Sequence, residues 1–309
     1  MLAIFLETLP FFALIGLGYA ARRTAFFSEE ATAYLTRFVF YFALSAMLLR
    51  FSATLDIGAL FSWDFVWAYL SASALIYALV AGVALARGRP LEEAAFEGQC
   101  SVIGNVGFLG IPMLALLMGE AAVGPVMFVL SIDLIVFGSL VVAVVNGARD
   151  GRMSLGMLRS IGLGLLKNPM IMSITLGLLW ARTGMAIPGP ADQFLSILGA
   201  AATPGALFAI GASLASKSAE RIEVASWLSF AKLVLHPAAI AVAVLFIFDV
   251  DNYAGAVMIA CASLPVAGNI FILAQHYGVA PQRVSASILV STVASVVTVS
   301  LVIGWLVQV

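Results

Sequence analysis

Long apolar runs, each bounded by charges or by Gly and Pro, recur along the whole chain. They fall at about 3–21, 34–51, 62–86, 94–118, 122–146, 168–184, 194–216, 224–247, 254–274 and 284–307. A helix needs roughly 20 apolar residues to cross the hydrocarbon core of a bilayer. The pattern therefore predicts an all-α membrane protein with ten transmembrane helices. The connections are too short for a separate soluble domain. The first run starts at the beginning of the chain and its arginines, Arg22 and Arg23, follow it. A secretory signal peptide carries its positive charge first, so this run is expected to be a retained span.

Composition agrees with lipid as the solvent. Of 309 residues, 63% are hydrophobic and 10% charged, where a soluble domain carries about 25% charged residues. A net charge of −1 offers no basic footprint for nucleic acid. The two cysteines, Cys100 and Cys261, sit in apolar runs and read as small hydrophobes. Lysine and arginine set the orientation. Arg22, Arg23, Arg37, Arg87, Arg89, Arg149, Arg152, Arg159, Lys167, Lys217, Arg221 and Arg283 lie in or beside the loops after spans one, three, five, seven and nine. Only Arg50, Arg182 and Lys232 fall elsewhere. The positive-inside rule makes those loops cytoplasmic and places both termini outside.

The chain resembles itself weakly. Pro10, Leu17, Gly18 and Arg23 recur as Pro169, Leu176, Gly177 and Arg182, and Ser45 as Pro204, all at one spacing. Further on, Gly104-Asn105 and Leu109 recur as Gly268-Asn269 and Leu273 at a slightly larger spacing, which a small insertion explains. Five spans per repeat is an odd number, so the second half is expected to cross the membrane in the opposite sense, an arrangement found in many secondary transporters. Residues 1–146 would form the first repeat, 147–167 a cytoplasmic connecting loop and 168–309 the inverted second repeat. Arg182 is then the inverted counterpart of Arg23.

Two runs are interrupted. Span four reads CSVIGNVGFLGIPMLALLMG, with Gly104, Gly107, Gly110 and Pro112; span nine reads CASLPVAGNIFILAQHYG, with Pro265, Gly268 and Asn269. Proline removes a backbone donor and glycine eases unwinding. Glycines also let membrane helices pack closely, which would explain one such run without a site. Paired breaks in inverted halves instead point to a substrate site. Asn105 and Asn269, with Gly104 and Gly268, would bind cargo beside half-helix N-termini whose partial positive charge suits an anion. Gly110, Pro112 and Pro265 would keep the helices broken.

These residues carry a resemblance. IGNVGFLGIPM is similar to the Asn-x(6)-Pro signature of the auxin efflux carrier family, and LP-x(3)-N-x(4)-A-x(2)-YG to its partner in the second half. LPFFALIGLGYAARRTAFFSEEATAYLTRFVFYFAL and PGALFAIGASLA are similar too. The chain looks like a short prokaryotic member, within a superfamily that includes bile-acid and sodium symporters. The resemblance implies crossed, broken helices four and nine, with spans one, two, six and seven as a scaffold. Spans three to five and eight to ten would form a transport domain moving as an elevator. It also implies a small organic-anion substrate, a homodimer through the scaffold helices and residence in the cell (inner) membrane. There are departures. Ser45 stands where many relatives have proline, Ile270 where plant members have proline, and the long cytoplasmic loop of plant carriers is absent.

Charges inside apolar runs are functional candidates. Asp133, mid-span in VLSIDLIVFG, could carry a coupling proton, help to hold Na⁺, or pair with a buried cation. Lys232 could compensate Asp133, attract a substrate carboxylate, or snorkel to the cytoplasmic face. His236, before Pro237, could titrate near neutral pH or be structural. Glu97, Gln99 and Gln275 flank the breaks and could cap helix ends or touch cargo; Arg50 and Asp64 sit near the outer surface. With His236 and His276 as the only histidines, no HExxH, metal spacing, Walker loop or Ser–His–acid set appears, so no enzyme, metal or cofactor is expected beyond a coupling H⁺ or Na⁺. The reading is a secondary active or potential-driven carrier of a small carboxylate. A Na⁺-coupled symporter of another organic solute and an anion channel are the alternatives.

Overall fold

The computed structural model describes residues 2–54, 62–150, 159, 162–163, 165–215 and 222–306. Arg152, Lys217 and Arg221, and part of the expected 147–167 loop, lie outside them. The described residues are helical almost throughout, with no strand longer than a single bridge. In chain order the segments are α1 (Leu2–Arg23), α2 (Glu29–Ser52), α3 (Trp63–Ala86), α4a (Leu91–Val102), α4b (Val106–Met118) and α5 (Glu120–Arg149). Then come α6 (Pro169–Ala181), α7 (Gly189–Ala215), α8 (Ile222–Ile247), α9a (Asn252–Ala262), α9b (Asn269–Tyr277) and α10 (Pro281–Leu306). Six of these, α2, α3, α5, α7, α8 and α10, are long and apolar enough to cross a membrane.

Every expected apolar run holds a helical segment, but two begin earlier than hydropathy suggests. α2 starts at Glu29, where the Ser28 hydroxyl accepts a hydrogen bond from the Ala31 amide at 3.0 Å and Glu29 and Glu30 sit in the positive first turn. α7 starts at Gly189 on a proline-led first turn. Capping chemistry, which hydropathy ignores, sets both boundaries.

The radial distribution is that of a membrane bundle. Large apolar side chains such as Leu75, Leu116, Phe246 and Val293 are exposed on the outer faces, while Asp133, Lys232, His236 and a run of α10 hydroxyls lie inside. Buried polar groups must find partners. Ser287, Thr292 and Ser295 do so on their own helix, donating to the carbonyls of Arg283, Ile288 and Thr292.

Two groups of helices pack separately. α1 lies along the second half of α7, while α2 packs on α6 and α7. Missing side chains allow these approaches. A Cβ on Gly18 would collide with the Phe208 carbonyl, one on Gly177 with the Leu49 carbonyl and Ser52, and one on Gly211 with the Ile15 carbonyl. At one end of this group, the Arg50 guanidinium grips Asp192 through two hydrogen bonds of 2.6 and 3.2 Å. The second group gathers α3, α4a, α5, α8, α9a, α9b and α10. A buried hydrogen bond of 2.9 Å between Thr8 on α1 and Ser300 on α10 is one link between the groups.

Candidate functional site

Both interrupted runs are broken in the structure, and the breaks meet. α4a ends at Val102, Ile103 is extended, and the helix resumes at Val106 through a wide π turn. α9a ends at Ala262, and α9b starts at Asn269. Between them Gly104 and Val266 form an antiparallel bridge. The Asn105 amide donates to the Pro265 carbonyl at 2.8 Å, and the Ala267 amide donates to the Ile103 carbonyl at 3.1 Å. The Val266 amide donates to the Ser291 hydroxyl of α10 at 3.1 Å. Unwound backbone is tolerated at membrane depth only where its polar groups are satisfied by protein or a cavity. Here each break satisfies part of the other.

The site residues expected from the sequence fall as follows. Gly104 and Asn105 are buried, Asn269 is half-buried and Gly268 is exposed. The Asn269 side-chain oxygen is buried with no hydrogen-bond partner. The Asn105 carbonyl accepts from both Leu109 and Gly110, at 3.1 and 2.9 Å, which makes the π turn. Gly110 sits against Leu264, at the second break. Pro112 follows the π turn, in the first turn of the regular α-helical part of α4b, Ile111–Met118. Pro265 lies in the second break and supplies the carbonyl that Asn105 uses. α4b and α9b thus start beside the two asparagines, and in the first turn of α9b the Ile270 and Phe271 amides donate to the Ala267 and Gly268 carbonyls at 3.4 and 3.2 Å.

Behind the crossing lies a buried polar cluster. Lys232 and Asp133 each belong to a π turn, in α8 (Ala231–Leu235) and α5 (Asp133–Phe137). Lys232 is fully buried, so it does not snorkel to either surface. Its ammonium donates to the Ala262 carbonyl, the last residue of α9a, and lies 3.1 Å from His236 Nδ1. His236 Nε2 is 2.9 Å from the Ser73 hydroxyl of α3. An ammonium has no lone pair, so His236 Nδ1 accepts and Nε2–H donates to Ser73. Asp133 accepts a hydrogen bond from Tyr69 on one carboxylate oxygen at 2.7 Å. Its other oxygen is buried without a partner. Asp133 and Lys232 act on each other through their charges.

A second cluster, which the sequence reading did not assemble, closes one end of the bundle. Glu97 of α4a is buried and pairs with Arg87, at the end of α3, and with Arg283 of α10 at 2.7 Å. Arg283, itself buried, also reaches Glu93 at 2.9 Å. Arg149 joins Glu92 at 3.1 Å and donates to the Tyr277 carbonyl at the end of α9b at 2.5 Å. The signal was present in three glutamates at the start of an otherwise apolar run, but their partners are over 180 residues away for Arg283. Gln99 is buried with an unpartnered side-chain oxygen, whereas Gln275 is exposed.

The chain as a whole is similar to known proteins. The family model described as Membrane transport protein, that of the auxin efflux carriers, matches residues 3–149 and 141–303. This chain belongs to that family. It is a multi-pass membrane transporter. A Rhizobium meliloti (strain 1021) protein named "Putative malonate transporter" is 31% identical over 299 residues, 94% of this chain and 92% of the relative. The Escherichia coli (strain K12) "Uncharacterized transporter YfdV" is 25% identical over 326 residues, 97% of each chain. Both relatives are named as transporters.

Proposed function

We propose that the chain is a secondary carrier of a small carboxylate anion, bound where the two breaks cross, between Asn105 and Asn269 with Gly104 and Gly268 giving backbone access. The observation that carries this reading is the antiparallel backbone pairing of the breaks, after which α4b and α9b begin at Val106 and Asn269. Backbone amides and the partial positive charge of helix N-termini favour an anion. The relative named for malonate fits a substrate of this size and charge.

The carrier is built from ten spans in two inverted repeats, 1–146 and 168–309. Matching contacts support the duplication. Gly18 packs on Phe208 and Gly177 packs on Leu49. Moving both members of the first pair by the spacing that takes Pro10 to Pro169 gives the second pair with its halves exchanged. Ile103 and Ala267, which share a hydrogen bond, are separated by the same interval as Asn105 and Asn269, as expected on an axis relating the halves. The separate packing of α1, α2, α6 and α7 supports their role as scaffold, with the other spans moving as an elevator. The scaffold forms a homodimer, and the protein sits in the cell membrane with both termini outside. Asp133 balances the charge of Lys232 behind the site, and the neutral His236 ring accepts a hydrogen bond from that ammonium.

Thermal stabilisation of the purified protein by malonate, malate and indole-3-acetate tests the substrate class, since a ligand of the folded state raises its apparent stability. A selective rise with one dicarboxylate, followed by saturable uptake and counterflow in proteoliposomes, is the expected result. No response to any carboxylate would overturn the anion reading, and conductance without counterflow would replace the carrier with a channel.

A further inference from the structure

α4a and α9a both run to the crossing and stop there, so each directs its carbonyl end, with partial negative charge, into the protein interior. In transporters with broken helices, such unwound carbonyls and half-helix C-termini are where a coupling Na⁺ is held. In this chain an ammonium stands there. Lys232 Nζ donates to Ala262 O, the terminal carbonyl of α9a. The same Nζ lies 3.3 Å from the position a Cβ on Gly104 would take, so the glycine at the first break leaves room for it.

Every polar neighbour suits a fixed cation. His236 Nδ1 accepts from α8 itself, with Ser73 of α3 holding the ring from the other side. Asp133 of α5 supplies the opposite charge and is itself held by Tyr69 of α3. Asp133 keeps one buried oxygen unpartnered, an acceptor left over inside an apolar bundle. Cys261 of α9a completes the set of titratable neighbours.

We propose that Lys232 is a tethered cation occupying the place a coupling Na⁺ would otherwise fill, so that the carrier needs no Na⁺. Exchanging an ammonium for a Na⁺ leaves the charge balance with Asp133 unchanged. Truncating Lys232 therefore opens a monovalent-cation site at the Ala262 carbonyl, a hard oxygen donor of the kind such ions take, with the Asp133 carboxylate supplying the opposite charge from beyond contact distance.

The inference rests on the carrier reading above, but its first readout needs no substrate. Thermal midpoints of the purified protein are measured in Na⁺, in K⁺ and in N-methyl-D-glucamine. The wild type should show the same midpoint in all three. Lys232→Ala should be less stable in N-methyl-D-glucamine and should regain stability with rising Na⁺, whereas Lys232→Arg should stay indifferent to the ion. Malonate uptake by Lys232→Ala should fall at least about tenfold without Na⁺ and recover in part with it.

A wild type selectively stabilised by Na⁺ overturns the proposal, and that measurement requires no variant to fold. A folded Lys232→Ala with no Na⁺ response overturns it equally. The predicted ion response without uptake of any carboxylate would sink the anion reading and leave the tethered cation standing.

Discussion

The two breaks carry the same Gly-Asn pair yet sit in different surroundings. At the first, Gly104 is enclosed between the Cys261 carbonyl and Lys232, and Asn105 is buried. At the second, a Cβ on Gly268 would meet nothing within 4 Å, and Asn269 is half-buried. The supports differ as well. α4a is anchored by Glu92, Glu93 and Glu97 in ion pairs with Arg149, Arg283 and Arg87. α9a is held at its last carbonyl by Lys232, and the strand-like turn after it leans on Ser291. A duplicated motif thus specifies where the chain unwinds, while the helices packed around each copy decide what the unwound segment faces. One break is locked from behind by charge; the other presents an open edge.

Substitutions at six positions probe this asymmetry. The largest effect is expected from Glu97→Ala, which leaves Arg283 buried with only Glu93. Removing one partner of a buried pair costs about 3–5 kcal/mol, so the thermal midpoint in detergent should drop steeply, and less in Glu97→Gln. Asn105→Ala and Asn269→Ala come next. Each should weaken carboxylate binding by about tenfold to a hundredfold, the worth of a hydrogen bond to a charged group, with near-native thermal midpoints in the absence of ligand. Equal affinities for wild type and both variants would remove the asparagines from the site.

Ser291→Ala should act on the second break alone. It strips the Val266 amide of its acceptor and should destabilise the protein by about 1–3 kcal/mol, read from the same melting curves. The smallest contrast is the most direct. A methyl at Gly104 would lie 3.2 Å from a backbone carbonyl and 3.3 Å from Lys232, so Gly104→Ala should cost about 1 kcal/mol or more through overpacking. Gly268 has φ −67° and ψ −24° beside open space, and Gly268→Ala should be neutral or stabilising by about 0.5 kcal/mol, because the alanine loses less backbone freedom on folding. Equal penalties at the two glycines would erase the difference between the breaks.

Span two is irregular although it holds no proline. Ser45 stands where the resemblance leads one to expect proline. The helix is still irregular there, with a π turn over Val39–Ala43, and the Ser45 hydroxyl donates to the Phe40 carbonyl at 3.1 Å. A hydroxyl that takes up a carbonyl from the preceding turns can bend a helix without a missing N–H. Arg50 is a case in the other direction. Its position near one end of the bundle was legible, but its two-point grip on Asp192 was not, because Asp192 lies 142 residues further on.

Hydropathy and residue spacing by themselves determined the helical class, the number and order of apolar segments and the two places where helices break, and the motifs at those breaks carried the resemblance to the family. These depend on local quantities: apolar length against bilayer thickness, and proline and glycine against the helical ladder. Only the tertiary structure decided that the breaks hydrogen-bond to each other, that Lys232 faces the Ala262 carbonyl and not a surface, and that Glu97 closes an ion cluster with Arg87 and Arg283. The physical reason is that a buried polar group is stable only with a partner. In a helical bundle that partner comes from another helix, so its identity is set by packing and not by sequence neighbours.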